Sequence, residues 1–138
     1  MKAVVIGAAG HIGTYLVPML VKAGFETVAV TRTMSAPYEK DYAWSNAERV
    51  LLDRSKDVNF VERLKAMNPD IIVDLVNFDI QDTQKIVQAF QSSNLSHYLY
   101  CSSCWAHGRA EILQMCIRDS CINIFSRKII IQKHKRNP

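Results

Sequence analysis

Three glycines near the start carry the first chemical signal. Gly7, Gly10 and Gly13 are spaced G-x-x-G-x-x-G between an apolar run, Ala3 to Ile6, and a stretch of helical periodicity. A strand that turns straight into a helix leaves the first helical N–H groups without intrahelical partners. Those donors and the positive end of the helix dipole make an anion site, which a pyrophosphate reaches only where side chains are absent. Gly7 permits the tight turn, Gly10 the close approach, and Gly13 the packing of helix on strand. With the intervening His11 and Ile12, these glycines are the candidate cofactor-binding turn. The alternative is a glycine turn that packs a helix and holds no ligand.

A second constellation is Cys101 and Cys104, in C-x-x-C spacing. Redox chemistry of the thioredoxin kind wants that pair opening a helix after the first strand, and here it closes a late strand. Cys116 and Cys121 do not complete a zinc-ligand spacing. The cysteines are therefore expected to be reduced, mostly buried thiols, and no metal site is expected.

The elements that position these residues follow from periodicity. Ala3 to Ile6 reads as a strand buried on both faces. The helix after it carries Ile12, Leu16, Met19, Leu20 and Ala23 on one side and stops at Gly24. Pro18 falls inside this helix and is read as tolerated strain, because the apolar period continues past it. Thr27 to Val30 is a second strand, ending at Thr31 and Arg32. Ser35 and Pro37 then mark a loop with room for a short irregular helix. Arg49 to Leu52 is a third strand, closed by Asp53, and Val58, Val61, Leu64 and Met67 form a helical stripe that Asn68-Pro69 ends. Asp70 to Val76 is a fourth strand. Ile80, Ile86, Val87 and Phe90 mark a helix that Asp79 or Asp82 can cap. His97 to Cys101 is a fifth strand, ending at Ser102-Ser103.

Alternating strands and helices imply right-handed crossovers and a parallel sheet. The expected fold class is α/β, a Rossmann-like three-layer αβα arrangement truncated after about the fifth strand, with strand order 3-2-1-4-5. Ligands of such sheets bind at the carboxyl ends of the strands. The residues there are the glycine turn, Thr31, Arg32, Asp53, Leu75, Val76, Asn77 and the Ser102-Ser103 pair.

The chain has 138 residues, 49% hydrophobic and 22% charged, which suits one ordinary globular domain. No apolar run is long enough to span a membrane. Met1-Lys2 leads directly into the first strand, so no signal peptide is expected and the expected location is cytoplasmic. The net charge of +4 is unevenly spread: residues 1–108 hold 10 Lys+Arg against 11 Asp+Glu, while residues 109–138 hold 7 against 2. The body gives no electrostatic reason to expect a nucleic-acid partner.

These motifs resemble the NAD-dependent epimerase/dehydratase group of the extended and atypical short-chain dehydrogenase/reductases. The glycine triplet has that spacing, Asp53 closes the third strand, Asn68 to Asn77 (NPDIIVDLVN) is similar to the fourth strand, and Tyr100 to Gly108 (YCSSCWAHG) to the fifth strand and its turn. The resemblance covers about residues 1–110. It implies a dinucleotide partner, adenine contact at Asp53, and a small-molecule substrate of the full-length parent oriented by Ser103. Hydride would then move between substrate and nicotinamide, with a Tyr as acid/base and a Lys four residues after it. An acid at the end of the second strand would favour NAD; here Thr31 stands there and Arg32 follows, a guanidinium suited to a 2′-phosphate. NADP(H) is therefore favoured over NAD(H), the alternative being that Arg32 is a solvated loop charge.

The match departs after Ser103. No Tyr-x-x-x-Lys follows, and no tyrosine occurs after Tyr100. Met115 to Ser120 (MCIRDS) resembles a translated sequencing adapter, and the Ile- and Lys-rich residues after it differ in composition from the body. Residues 1–110 are thus read as an incomplete NAD(P)-binding domain and residues 111–138 as an artefactual or disordered tail. The leading functional reading is the N-terminal part of an oxidoreductase, epimerase or dehydratase acting on a nucleotide-sugar or another small hydroxy or carbonyl compound. Its alternative is a non-catalytic NAD(P)-sensing regulator.

Overall fold

The computed structural model describes residues 1–34 and 40–101. Five strands, β1 (Lys2–Ile6), β2 (Glu26–Thr31), β3 (Glu48–Leu51), β4 (Ile71–Asp74) and β5 (His97–Tyr100), form one sheet in the order β3-β2-β1-β4-β5. Every pairing is parallel. Each return to a parallel neighbour needs a crossover, which α1 (His11–Lys22), α2 (Phe60–Ala66) and α3 (Ile80–Phe90) supply together with a 3₁₀ segment, Tyr42–Asn46.

The pleat divides the core into two faces. Val4, Ile6, Val28, Val30 and Ile72 point to one side and pack with Phe60 and Leu64 of α2 and Ile86 and Phe90 of α3. Val5 and Ala29 point to the other and pack with Val17 of α1 and Trp44. The architecture is thus the three-layer α/β arrangement expected. β1 sits at its centre, with Ala3, Val4, Val5 and Ile6 all buried, as its unbroken apolar run requires.

Helix α1 differs from expectation in its buried face. Gly13, Thr14, Val17 and Pro18 are buried, with Leu16 and Leu20 partly so, whereas Ile12, Met19 and Ala23 are exposed. The sheet selects the face that lets the backbone approach, and the small side chains lie there. α1 does run through Pro18. Proline supplies no N–H to the carbonyl of Thr14, four residues earlier, and the Trp44 indole donates to that carbonyl instead at 3.1 Å. The buried acceptor is satisfied, and the 3₁₀ segment is tied to α1 by the same bond. Gly24 ends the helix with φ +84. The Gly24 amide reaches the Val21 carbonyl and the Phe25 amide the Leu20 carbonyl, both at 3.0 Å, which is a Schellman closure.

Further expectations are refined or corrected. Val58 is exposed and precedes α2, whose buried anchors are Phe60 and Leu64. β4 ends at Asp74 rather than Val76. Cys101 is exposed, not buried. Asp79 rather than Asp82 is the N-cap of α3, its carboxylate accepting from the Gln81 amide at 2.9 Å. The loop residues Ser35 and Pro37, the Ser102-Ser103 pair, Cys104, Cys116, Cys121 and the segment 111–138 lie outside the described residues. Among the described residues no helix is long and apolar enough to cross a membrane, and no group of three His, Cys, Asp or Glu could hold a metal ion.

Candidate functional site

A cleft of about 590 Å³ opens at the carboxyl ends of β1, β2 and β3, beside the segment after β4. Six of the sequence candidates line it: Gly7, Gly10, Thr31, Arg32, Asp53 and Val76.

The glycine turn forms its floor. Gly7 has φ +80, and a Cβ there would fall 2.7 Å from Val76 Cγ1. The backbone therefore needs glycine on conformational and on steric grounds. Its amide and that of Ala8 both donate to the Val30 carbonyl, at 3.0 and 3.1 Å, pinning the turn to β2. Gly10 is the N-cap of α1; no side chain caps this helix end, and no acidic residue stands in its first turn. An anion there meets helix dipole and backbone amides without a competing carboxylate. Gly13 lies outside the cleft, and a Cβ on it would overlap the Ala8 backbone, so its absence sets how closely α1 packs on β1.

Thr31 and Arg32 form the second wall. Thr31 is only 4% exposed, yet its Oγ1 has no hydrogen-bond partner. A buried hydroxyl without a partner is costly. Arg32 is exposed on the rim. Asp53 opposes it, with Oδ1 accepting from the Ser55 hydroxyl at 2.7 Å and the Ser55 amide at 3.0 Å. The Ser55 hydroxyl bond above all, then the Ser55 amide, holds the Asp53 carboxyl below the usual range, and the Lys56 and Arg32 charges act in the same sense.

The remaining candidates fall elsewhere. His11 and Ile12 are exposed at the start of α1. Leu75 packs into the core cluster of Val5, Ala8 and Val17. The Asn77 amide donates to Thr83 Oγ1 at 2.7 Å and to the Tyr98 hydroxyl at 2.9 Å. Ser103 lies outside the described residues.

One feature escaped sequence reading. Asp74 is fully buried at the end of β4 and accepts from the Arg54 guanidinium, from the Tyr98 hydroxyl at 3.0 Å and from the Val76 amide at 3.3 Å. Burial first, and then the Asp74 charge, push the Tyr98 hydroxyl well above its ordinary value, so it stays protonated as the donor. The available signal was an aspartate inside the apolar run DIIVDLV, which demands a cationic or donor partner.

A glycine cradle that a Cβ would close, an uncapped helix N-terminus, an unpartnered buried hydroxyl and a guanidinium on the rim fit a dinucleotide. The sheet order and this turn define a Rossmann-like domain. The chain belongs to the NmrA-like family, which it matches over residues 1–137. It is 30% identical over 129 residues to the chloroplast stem-loop binding protein of 41 kDa b of Arabidopsis thaliana, covering 86% of this chain and 33% of that protein. The Bordetella bronchiseptica enzyme WbmH, solved in complex with NAD+, shares the fold with a TM-score of 0.58 at 20% identity, over 82% of this chain and 42% of that one. The UDP-glucose 4-epimerase of Thermotoga maritima, solved with UDP-glucose, does so with a TM-score of 0.63 at 18% identity, over 81% and 41%. The chain thus spans about a third of the curated relative's length and about four-tenths of these solved chains.

Proposed function

We propose that this chain is the dinucleotide-binding part of an oxidoreductase, epimerase or dehydratase, and that it takes NADP(H) in preference to NAD(H). The observation that carries this is the glycine turn, closed to any Cβ at Gly7, in a cleft that Thr31 and Arg32 also line. The turn and the α1 N-terminus would hold the pyrophosphate, Thr31 the adenosine ribose, and Arg32 the 2′-phosphate. When bound, the nicotinamide supplies the hydride acceptor or donor. The parent's substrate would be a nucleotide-sugar or another small hydroxy or carbonyl compound, oriented by Ser103.

Titration of the full chain with NADPH and NADH tests the cofactor reading. NADPH is expected to bind more tightly, and Arg32→Ala to weaken NADPH about tenfold or more while leaving NADH unchanged, the scale of a charged hydrogen bond. NADH affinity equal to or better than that of NADPH would contradict the preference.

A second reading is a non-catalytic NAD(P)-sensing regulator, favoured by a relative named as a binding protein. An adapter-free sequencing read of the source DNA across codons 100–138 separates the two. A frame continuing past Arg109 into Tyr-x-x-x-Lys supports the enzyme, and a long continuation without it supports the regulator. A read that returns the present residues 115–120 would contradict the adapter origin proposed for them. The stem-loop in that relative's name is not carried over, because residues 1–108 have a net charge of −1.

A further inference from the structure

Asp74 is a buried carboxylate that the cofactor reading leaves unused. Donors from three elements converge on it at the end of β4. Arg54, in the loop after β3, pairs with its Oδ2. The Tyr98 hydroxyl of β5 donates to the same oxygen at 3.0 Å, and the Val76 amide donates to Oδ1 at 3.3 Å. Arg54 then returns to the segment after β4, where its Nη1 donates to the Val76 carbonyl at 3.3 Å. Val76 is thus held on both sides, its N–H by Asp74 and its C=O by Arg54. What Val76 does there is visible at Gly7. A Cβ added to Gly7 would fall 2.7 Å from Val76 Cγ1, so the Val76 side chain lies directly against the bare α-carbon of the glycine turn. Gly7, Gly10 and Val76 line one cleft. Stability alone does not account for the Arg54–Asp74 pair, because exchanging a buried ion pair for neutral groups of similar volume is often neutral or stabilising. Fixed hydrogen bonds that lock a neighbouring group in one place are what such a pair supplies to a site.

We infer that Asp74 is a positioning residue of the glycine turn: with Arg54 it sets Val76 against Gly7 and so fixes the backbone that receives the pyrophosphate. The inference rests on the cofactor reading above and adds to it the residue that holds the phosphate end in shape. Being buried, Asp74 acts through Arg54 and Val76 rather than on the ligand.

Two variants test it in the full chain. The probe is inorganic pyrophosphate, titrated by calorimetry; the local readout is the Gly7 amide resonance of the ¹⁵N-labelled, ligand-free chain; thermal melting is the control of folding. Arg54→Lys keeps a cation beside Asp74 and gives up the arm that reaches the Val76 carbonyl. Arg54→Met with Asp74→Asn removes both charges together, so that neither is stranded should the lysine variant fail to fold. Each variant is expected to melt near the wild type and to move the Gly7 resonance before any ligand is added. Each is expected to bind pyrophosphate about fivefold more weakly, the scale of one lost hydrogen bond. An unmoved Gly7 resonance in a folded variant would overturn the inference, leaving Asp74 as no more than the counter-ion of Arg54. Pyrophosphate bound as tightly as by the wild type, or more tightly, would overturn it too. Melting far below the wild type in both variants would assign the pair to the fold and overturn it as well. A wild-type chain that binds neither NADPH nor pyrophosphate overturns the cofactor reading, and the Gly7 resonance of the ligand-free variants then decides the positioning by itself.

Discussion

Gly13 and Gly10 belong to one motif but answer to different forces. A Cβ at Gly13 would overlap the Ala8 backbone, which cannot yield without moving β1. Gly13→Ala is therefore expected to cost about 2 kcal/mol or more, as overpacked core sites do, read as a lower midpoint in urea. At Gly10 the nearest atom to an added Cβ is the Gly7 carbonyl at 3.2 Å, and Gly10 lines the cleft. Gly10→Ala is expected to keep most of the stability and lose dinucleotide affinity; an unchanged affinity would remove Gly10 from the site. Both glycines were legible in the sequence because a turn between strand and helix is local chemistry. The Arg54–Asp74 pair was not, because β3 and β4 are separated in the sheet by β2 and β1 and the two residues meet only through the tertiary fold. Asn77 was misleading in another way: its place at a strand end suggested the cleft, but Tyr98 and Thr83 hold it on the α3 side.

The strands were legible as elements because unbroken apolar runs such as AVVI and IIV have few other uses in a chain of this length. The face of α1 was not, since counting large apolar residues favours Ile12 and Met19, while the sheet demands the small residues between them. Trp44 shows how a local rule is broken and repaired across the fold. Trp44→Phe removes the donor to the Thr14 carbonyl and leaves that buried acceptor unsatisfied, at an expected cost of about 1–3 kcal/mol. The double variant Trp44→Phe with Pro18→Ala restores the helical amide and is expected to recover part of the loss in chemical denaturation; no recovery would contradict the pairing of these two residues. Asp79→Ala removes the cap of α3 and is expected to cost about 1 kcal/mol.

For the whole molecule, acid sensitivity follows from three carboxylates held below the ordinary range. The chief causes are the Lys22 bond for Asp41, the Ser55 hydroxyl for Asp53 and the Arg63 bond for Asp57. A carboxyl lowered in the fold contributes stability above its unfolded value, about 3.9, which is lost as pH falls through the lowered values. The melting temperature is expected to hold from pH 7 to pH 5 and to fall below about pH 4. A decline that begins near pH 6 would place the controlling groups elsewhere. The most direct test of the central claim is amide chemical-shift mapping of the ¹⁵N-labelled chain as NADPH is added. The expected result is perturbation centred on Gly7, Ala9, Gly10, Thr31, Arg32 and Asp53. Shifts confined to the face of α3 and β5, or none at saturating NADPH, would contradict a dinucleotide site in this cleft.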